Sequence, residues 1–401
     1  MDRLTNPFAP GAGIQPPELA GRDALIEEIT IDMERVLQKR PTKGVMLLGL
    51  RGVGKTVLLN RLLEVAKDKG FYTAKVEAPE GGALPELLAT ELRKILYSLD
   101  LKSAASHKMR QAVSVLRNFA RAFSVRLGEI EFGIEVDPGL ASSGNLEQDL
   151  PDLLLAVAEA VSDRAAALGL FLDEVQYLSP RELAAIVVAC HESAQRNLPF
   201  FFVGAGLPQI AALAGNAKSY AERLFNYPQV GPLTPEAARE ALVKPAMNQG
   251  VAFEENAVEE ILRLTKGYPY FVQEWGYHVW NTAPGSPISR AYVERATPQI
   301  ITHLDANFFR VRFDRLTGLQ HKYLRAMAEL GPGPHKTGDI ATTLGVEPSA
   351  VATVRQQLIN KGMVWSQRHG ETAFTVPMFD SFMKRQMPTL EQHVPKRRPR
   401  D

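Results

Sequence analysis

The chain changes hydrophobic period as it is read from the N-terminus. Short continuous apolar runs, Val45–Leu48, Leu170–Leu172 and Phe200–Val203, read as buried strands, and Lys55–Lys69 after the first run has the apolar spacing of a helix. These predict an α/β core built on a parallel sheet flanked by helices. From Thr234 the pattern turns helical. Thr234-Pro235-Glu236 reads as an N-cap with proline at the first helical position, opening a helix to about Asn248. Helical spacing resumes over Glu254–Leu264, Pro269–Thr282, Ser289–Ala296 and Pro298–Phe309, with "APGSP" as a break. Trp275, Tyr277 and Trp280 fall at helical spacing and read as core rather than a stacking box.

Two stretches depart from this plan. Between Leu101 and Asp149, "AFSVRL" and "EIEFGIEV" alternate and are joined at Gly128-Glu129, which predicts a hairpin with Ile130, Phe132, Ile134 and Val136 inward. Its outward Glu129, Glu131 and Glu135 suit either a solvated face or a docking edge for a basic segment. In the last quarter, "LTGLQHKYLRAMAEL" is an amphipathic helix, "TGDIATTLG" a short helix, "VEPSAVATVRQQLINKGMV" a turn plus helix, and "WSQRHGETAFTV" a hairpin turning at His369-Gly370. Within Ser349–Lys361, Val351, Val354 and Leu358 bury one face, leaving Thr353, Gln356, Asn360 and Arg355 or Lys361 outward, types that read base edges or phosphates.

Composition narrows the classes. With 401 residues, 45% hydrophobic and 23% charged, the chain is long enough for two or three packed domains. Cys190 is the only cysteine, which excludes an intrachain disulfide and a multi-cysteine metal site. No signal-peptide pattern and no membrane-spanning apolar run occurs, so a cytoplasmic protein without membrane contact is expected. Net charge is +1, but from Phe313 to Asp401 thirteen Lys and Arg stand against eight Asp and Glu. Four of them form the tail Lys396-Arg397-Arg398-Arg400, either a solvated end or a nucleic-acid arm.

The chemistry starts at "GLRGVGKT", which fits G-x-x-x-x-G-K-[ST] with Gly49, Gly54, Lys55 and Thr56. The loop lies between a strand and a helix N-terminus, where the backbone N–H groups of Gly52, Val53, Gly54 and Val57 wrap phosphates. Lys55 then reaches the β- and γ-phosphates of ATP and Thr56 ligates Mg²⁺. A second acidic partner follows in "LGLFLDEVQYL": Asp173, at the strand end, suits the Mg²⁺ shell, and Glu174 suits activation of the attacking water. The strand tip in "FFFVGAGLPQI" is Gly204-Ala205-Gly206, so no polar γ-phosphate sensor is evident there. Arg223, at the end of a short helix before an apolar strand, is either a surface residue or a finger acting on a neighbouring subunit's nucleotide.

These motifs together resemble the AAA+ ATPases, in particular the branch of origin-recognition ATPases and STAND-type signalling ATPases, from about Pro16 to Gln386. The resemblance implies that Gly21-Arg22 in "PPELAGRDALIEEI" cover the adenine and that Gly267-Tyr268-Pro269 is the G-x-P of a helical lid touching the nucleotide. Origin-recognition members carry a sensor arginine in that lid, and none is evident here, which favours a STAND-like switch. The last quarter is similar to the winged helix-turn-helix that closes many such ATPases, used for double-stranded DNA or for protein packing. The implied division is a P-loop core over 1–232 with its insertion at 101–149, a helical lid over 233–312, a winged helix over 313–388 and a basic tail over 389–401. The expected function is an ATP-binding and ATP-hydrolysing switch coupled to DNA or partner binding. The alternative is a slow signalling ATPase, assembling as a homo-oligomer or with a protein partner, that never touches DNA.

Overall fold

The computed structural model describes residues 1–11, 13–82, 84–99, 106–126, 139–366, 368 and 370–390. The N-terminal half runs α1 (Asp23–Leu37), β1 (Gly44–Leu48), α2 (Lys55–Asp68), β2 (Phe71–Glu77), α3 (Leu84–Ser98), α4 (His107–Ala122), α5 (Leu146–Ser162) and β3 (Ala167–Asp173). It continues through α6 (Pro180–Gln195), β4 (Phe200–Gly206), α7 (Ile210–Ala217), α8 (Ala221–Leu224) and β5 (Phe225–Asn226). The five strands form one parallel sheet in the order β2-β3-β4-β1-β5. Because successive side chains point to opposite faces, Met46 and Leu48 join the core under α3–α6, while Val45 and Leu47 join the core under α1 and α2. Every residue of β3 is buried, as a central strand covered on both faces requires.

Of the hairpin expected between residues 101 and 149, only Ala122–Arg126 of the first strand lies among the described residues. Ala122 ends α4, Phe123 and Ser124 form a turn, and Val125 and Arg126 belong to no regular element. The Phe119 and Phe123 rings lie 4.6 Å apart, an i,i+4 contact across the end of the helix. Gly128-Glu129 and the glutamate face at 129–135 lie outside the described residues, as do His369 and the tail from 391.

The second half opens as expected. The Thr234 hydroxyl accepts from the Ala237 amide, and Pro235 starts α9 (Pro235–Asn248), followed by α10 (Glu255–Thr265) and α11 (Pro269–Thr282). The two helices expected around residue 297 are instead one, α12 (Arg290–Leu304), with Pro298 inside it. Proline removes one backbone donor, but Val293, Ala296, Ile300 and Leu304 keep a single buried stripe across it, and that packing outweighs the lost bond. A π-helical turn at Asp305–Phe309 leads into α13 (Arg310–Phe313), so no linker separates the lid from the C-terminal module. Trp275 and Trp280 are fully buried, as expected of core, whereas Tyr277 is exposed.

The first nine residues pack on this lid, not on the sheet. The N-terminal ammonium donates to the Ala283 carbonyl at 2.8 Å, Trp280 Nε1 donates to the Asp2 carbonyl at 2.9 Å, and Phe8 is buried over Gly276. A Cβ at Gly276 would lie 2.6 Å from the Phe8 ring, so the helix is glycine there to seat it.

The C-terminal module comprises α14 (Gly318–Leu330), β6 (His335–Lys336), α15 (Thr337–Leu344), α16 (Pro348–Asn360), β7 (Val364–Trp365), β8 (Glu371–Phe374) and α17 (Phe379–Gln386). Its strands form a small antiparallel sheet in the order β6-β8-β7. Thr317 and Gln320 close a capping box at the start of α14. Phe309 stacks on Phe382 at 5.2 Å, and the module and lid share one hydrophobic core. No helix among the described residues is long and apolar enough to cross a membrane.

Candidate nucleotide site

The loop after β1 is fixed by close backbone approach. The Gly49 amide donates to the Gly206 carbonyl at 3.1 Å, and a Cβ on Gly49 would lie 2.2 Å from the Val230 carbonyl oxygen. Gly54, the N-cap of α2, has φ 87°, a left-handed conformation that glycine adopts without strain. Lys55 is buried, and its ammonium donates to the Leu50 carbonyl at 2.9 Å within the same loop. Burial pushes its pKa down to about 8, partly offset by Glu174 and Asp173.

The acidic pair lies beside it at the end of β3. Asp173 is buried, hydrogen-bonded to the Thr56 side chain, and takes the Glu174 amide on Oδ1 at 2.9 Å. Burial raises its pKa above the ordinary carboxylate value, so a cation at this point relieves an unfavourable buried charge. A hydroxyl and a carboxylate are hard oxygen donors, and this pair fits Mg²⁺. Glu174 has φ 52° and ψ 39°, a left-handed conformation for a residue that has a Cβ, costing about 1–3 kcal/mol. Its carboxylate is held from both sides: Arg51 NH1 lies 3.7 Å from Oε1, and Gln176 Nε2 donates to Oε2. The Gln176 side-chain oxygen accepts from the Leu207 amide at 3.0 Å and would lie 2.4 Å from a Cβ at Gly206. Gln176 thus occupies the space at the tip of β4 beside Gly206, while a Cβ at Gly204 would press on the Phe202 ring.

One cavity of about 1280 Å³ gathers most of the expected residues: Arg22, Gly52, Val53, Gly54, Lys55, Thr56, Val57, Glu174 and Pro269 all line it. Arg22 is anchored within it, and others support it from behind. Arg22 donates to the Val53 and Gly231 carbonyls, and burial lowers its pKa. Gly21 packs on Ala237, with 2.7 Å between its would-be Cβ and that methyl. The Leu233 amide donates to the Gly267 carbonyl at 2.8 Å, Tyr268 is half-buried, and the Tyr270 amide donates to the Gly52 carbonyl at 3.2 Å, tying the lid to the loop. Arg223 is elsewhere. It is exposed at the end of α8, and β5 after it pairs with Gly44 at the opposite end of β1 from the loop. Its guanidinium has no hydrogen bond or ion pair among the described residues.

Residues 18–203 match the family model described as the AAA ATPase domain, and residues 306–383 match a domain of unknown function. Residues 18–203, a little under half of the chain, are thus similar to an AAA ATPase domain. No curated protein sequence matches the chain. Among solved structures, the Walker-type ATPase of Pyrococcus abyssi is 15% identical over 92% of this chain and 97% of its own, with a TM-score of 0.58. That likeness is one of fold. The Orc1 protein of Aeropyrum pernix in complex with DNA is 17% identical over 93% of this chain and 94% of its own, with a TM-score of 0.48.

The sequence motifs missed a second set of groups around the ATPase domain's cavity. Arg51, Arg312, Arg315 and Lys361 line it along with Lys55, and Arg312, Arg315 and Lys361 come from outside the ATPase domain. Arg312 lies 4.3 Å over the Phe308 ring and donates to the Phe308 carbonyl. Burial first, and then Arg51, push its pKa down to about 10. Lys361 Nζ donates to the Arg315 carbonyl at 2.8 Å and to Gln320 Oε1 at 2.9 Å. Arg51 also donates to the Tyr177 hydroxyl at 2.8 Å, and its amide donates to the Thr375 carbonyl at 3.0 Å. Only Arg51 had a local signal, as a variable position inside the phosphate-loop motif.

Proposed function

We propose that the chain binds Mg²⁺–ATP in this cavity, hydrolyses it slowly, and uses the γ-phosphate to hold its C-terminal module, which we read as a winged helix, against the ATPase domain. The observation that carries this reading is the set of cations facing the cavity from both sides, Arg51 and Lys55 from the phosphate loop and Arg312, Arg315 and Lys361 from the C-terminal third. Glu174 and Glu80 offset part of this charge through Arg51 and Arg315, and a polyphosphate placed among the cations becomes their common counter-ion. Losing the γ-phosphate removes part of that attraction, so the module loosens and its surface becomes open to a partner.

The chemistry assigns roles to residues already in place. The amides of Gly52–Val57 and the Lys55 ammonium bind the phosphates, and Thr56 with Asp173 holds the Mg²⁺, which supplies charge neutralisation at the phosphate oxygens. Glu174 accepts the proton of the attacking water once its carboxylate leaves Arg51 and Gln176. A base that must first give up two partners suits slow turnover. Arg22, Pro269 and the neighbouring lid surround the base end.

The signalling-switch reading is favoured over DNA binding by where the module's cations go. Arg355 donates to Thr372 Oγ1 and to Ser366 Oγ, both at 2.8 Å, Lys361 faces the cavity, and Arg385 is paired with Asp305 at 2.6 Å. DNA binding keeps one specific support, the exposed Thr353, Gln356, Arg368 and Lys384. A multi-turnover ATPase assay with and without duplex DNA tests both. Slow turnover indifferent to DNA and abolished in Glu174→Gln is expected. Strong stimulation by DNA contradicts the preferred reading, and undiminished turnover in Glu174→Gln contradicts the site. Arg312→Ala should weaken ATP binding more than ADP binding; equal weakening removes the γ-phosphate role.

A further inference from the structure

We infer that the lid carries a second metal site, distinct from the nucleotide's, that takes a first-row transition dication such as Zn²⁺ on Glu274, His278 and His303. Glu274 and His278 are one turn apart on α11, and His303 comes from α12, which packs against it. One potential ligand atom from each lies within 4.8 Å of the other two. The carboxylate is the telling group. Glu274 is 2% exposed; its Oε1 accepts from the Tyr270 hydroxyl at 2.6 Å, but its Oε2, equally buried, has no hydrogen-bond partner. A buried carboxylate oxygen without a donor is costly unless a cation meets it.

The surroundings select the cation. His278 Nε2 lies 3.4 Å from that same Oε2, without the alignment of a hydrogen bond. In a tetrahedral Zn²⁺ site with bonds of about 2.0–2.1 Å, neighbouring ligand atoms stand about 3.3 Å apart, so this edge already has its working length. The His278 and His303 ring centroids are 5.0 Å apart, so the third ligand needs only a side-chain adjustment, and His303 is exposed, leaving a fourth position to water. Two imidazoles favour Zn²⁺, Co²⁺ or Ni²⁺ over Mg²⁺ or Ca²⁺. Tyr270 holds the other carboxylate oxygen, an outer contact that orients a metal ligand. Tyr270 also donates its amide to Gly52, so a metal here stiffens the part of the lid that touches the phosphate loop.

The test uses full-length protein stripped with a chelator and returned to millimolar Mg²⁺, so that hard-oxygen sites are occupied. Calorimetric titration with Zn²⁺ should show one saturable equivalent, and Co²⁺ should give the visible absorption of a four-coordinate site. His303→Ala, at an exposed position, and His278→Ala should each weaken Zn²⁺ binding by at least about tenfold with the circular dichroism spectrum unchanged. Absence of saturable binding overturns the proposal, and so does an affinity that either variant leaves unchanged.

Discussion

The Arg51 amide donates to the Thr375 carbonyl at 3.0 Å, joining the phosphate loop to the end of β8 across more than three hundred residues of chain. The Arg51 guanidinium reaches Glu174 and Tyr177 on its other side. A single residue therefore links the loop after β1, the Glu174 carboxylate and the C-terminal module.

Lys55→Ala removes the buried cation at the phosphates and should cost about 2–5 kcal/mol of ATP binding, a loss of roughly 30-fold or more in Kd. Glu174→Gln should bind ATP as the parent does and fail to hydrolyse it. Fluorescent-nucleotide titration and single-turnover hydrolysis measure the two, and normal single-turnover hydrolysis by Glu174→Gln removes that residue from the mechanism.

The Lys55 pKa of about 8 in the nucleotide-free protein gives ATP binding a pH dependence. Below about 8 the ammonium is present and binding takes up no proton at this group. Above it the free protein holds neutral Lys55, the bound polyanion restores the charge, and affinity should fall towards tenfold per pH unit with proton uptake. The same shift makes the unfolded chain bind more protons between about pH 8 and 10.5, so this group's contribution to stability rises with pH over that window. Calorimetry in buffers of different ionisation enthalpy reads the uptake, and a flat Kd from pH 7 to 9.5 contradicts a buried, depressed Lys55.

How much of this was legible depended on whether the signal was local. The phosphate loop, Asp173-Glu174 and the α9–α11 boundaries are written in consecutive residues, because turn, cap and strand chemistry acts over a few positions. Pro298 misled because a tertiary stripe from Val293 to Leu304 overrode a local breaker. "AFSVRL" reads as strand, but its first residue closes α4 and its next two form a turn, with Phe123 packed back on Phe119. Phe8 on Gly276, Arg312 under the cavity and Lys361 facing it depend on partners far away in the chain, and no period or motif announces them.

Arg223 is exposed, without a hydrogen bond or ion pair on its side chain among the described residues, and does not line the cavity; we propose that it serves another subunit's nucleotide. Arg223→Ala should lower turnover without changing ATP affinity. Mixing it with Glu174→Gln should restore part of the activity, because some mixed assemblies contain an intact composite site. Full activity of Arg223→Ala at dilutions where the protein is monomeric makes it a plain surface residue.

If the C-terminal module binds duplex DNA, few phosphates are within its reach. Of Arg355, Lys361, Arg368, Lys384 and Arg385, only Arg368 and Lys384 have side chains free of hydrogen bonds and ion pairs among the described residues. The slope of log affinity against log salt should be about −2 from the module, at roughly −0.9 per phosphate, and truncation after Val394 should remove any excess. A slope near −5 that survives truncation means that Arg355, Lys361 and Arg385 leave their partners on DNA.

The proposed ATP-held clamp is tested by the distance between the ATPase domain and the C-terminal module in Glu174→Gln protein. Spin labels at Asp68→Cys and Ser349→Cys sit on exposed positions of α2 and α16, and the native Cys190 is buried away from the reagent. Pulsed electron–electron double resonance should give one narrow, short distance with Mg²⁺–ATP and a longer, broader distribution with Mg²⁺–ADP or without nucleotide. The same distribution in all three states contradicts the clamp.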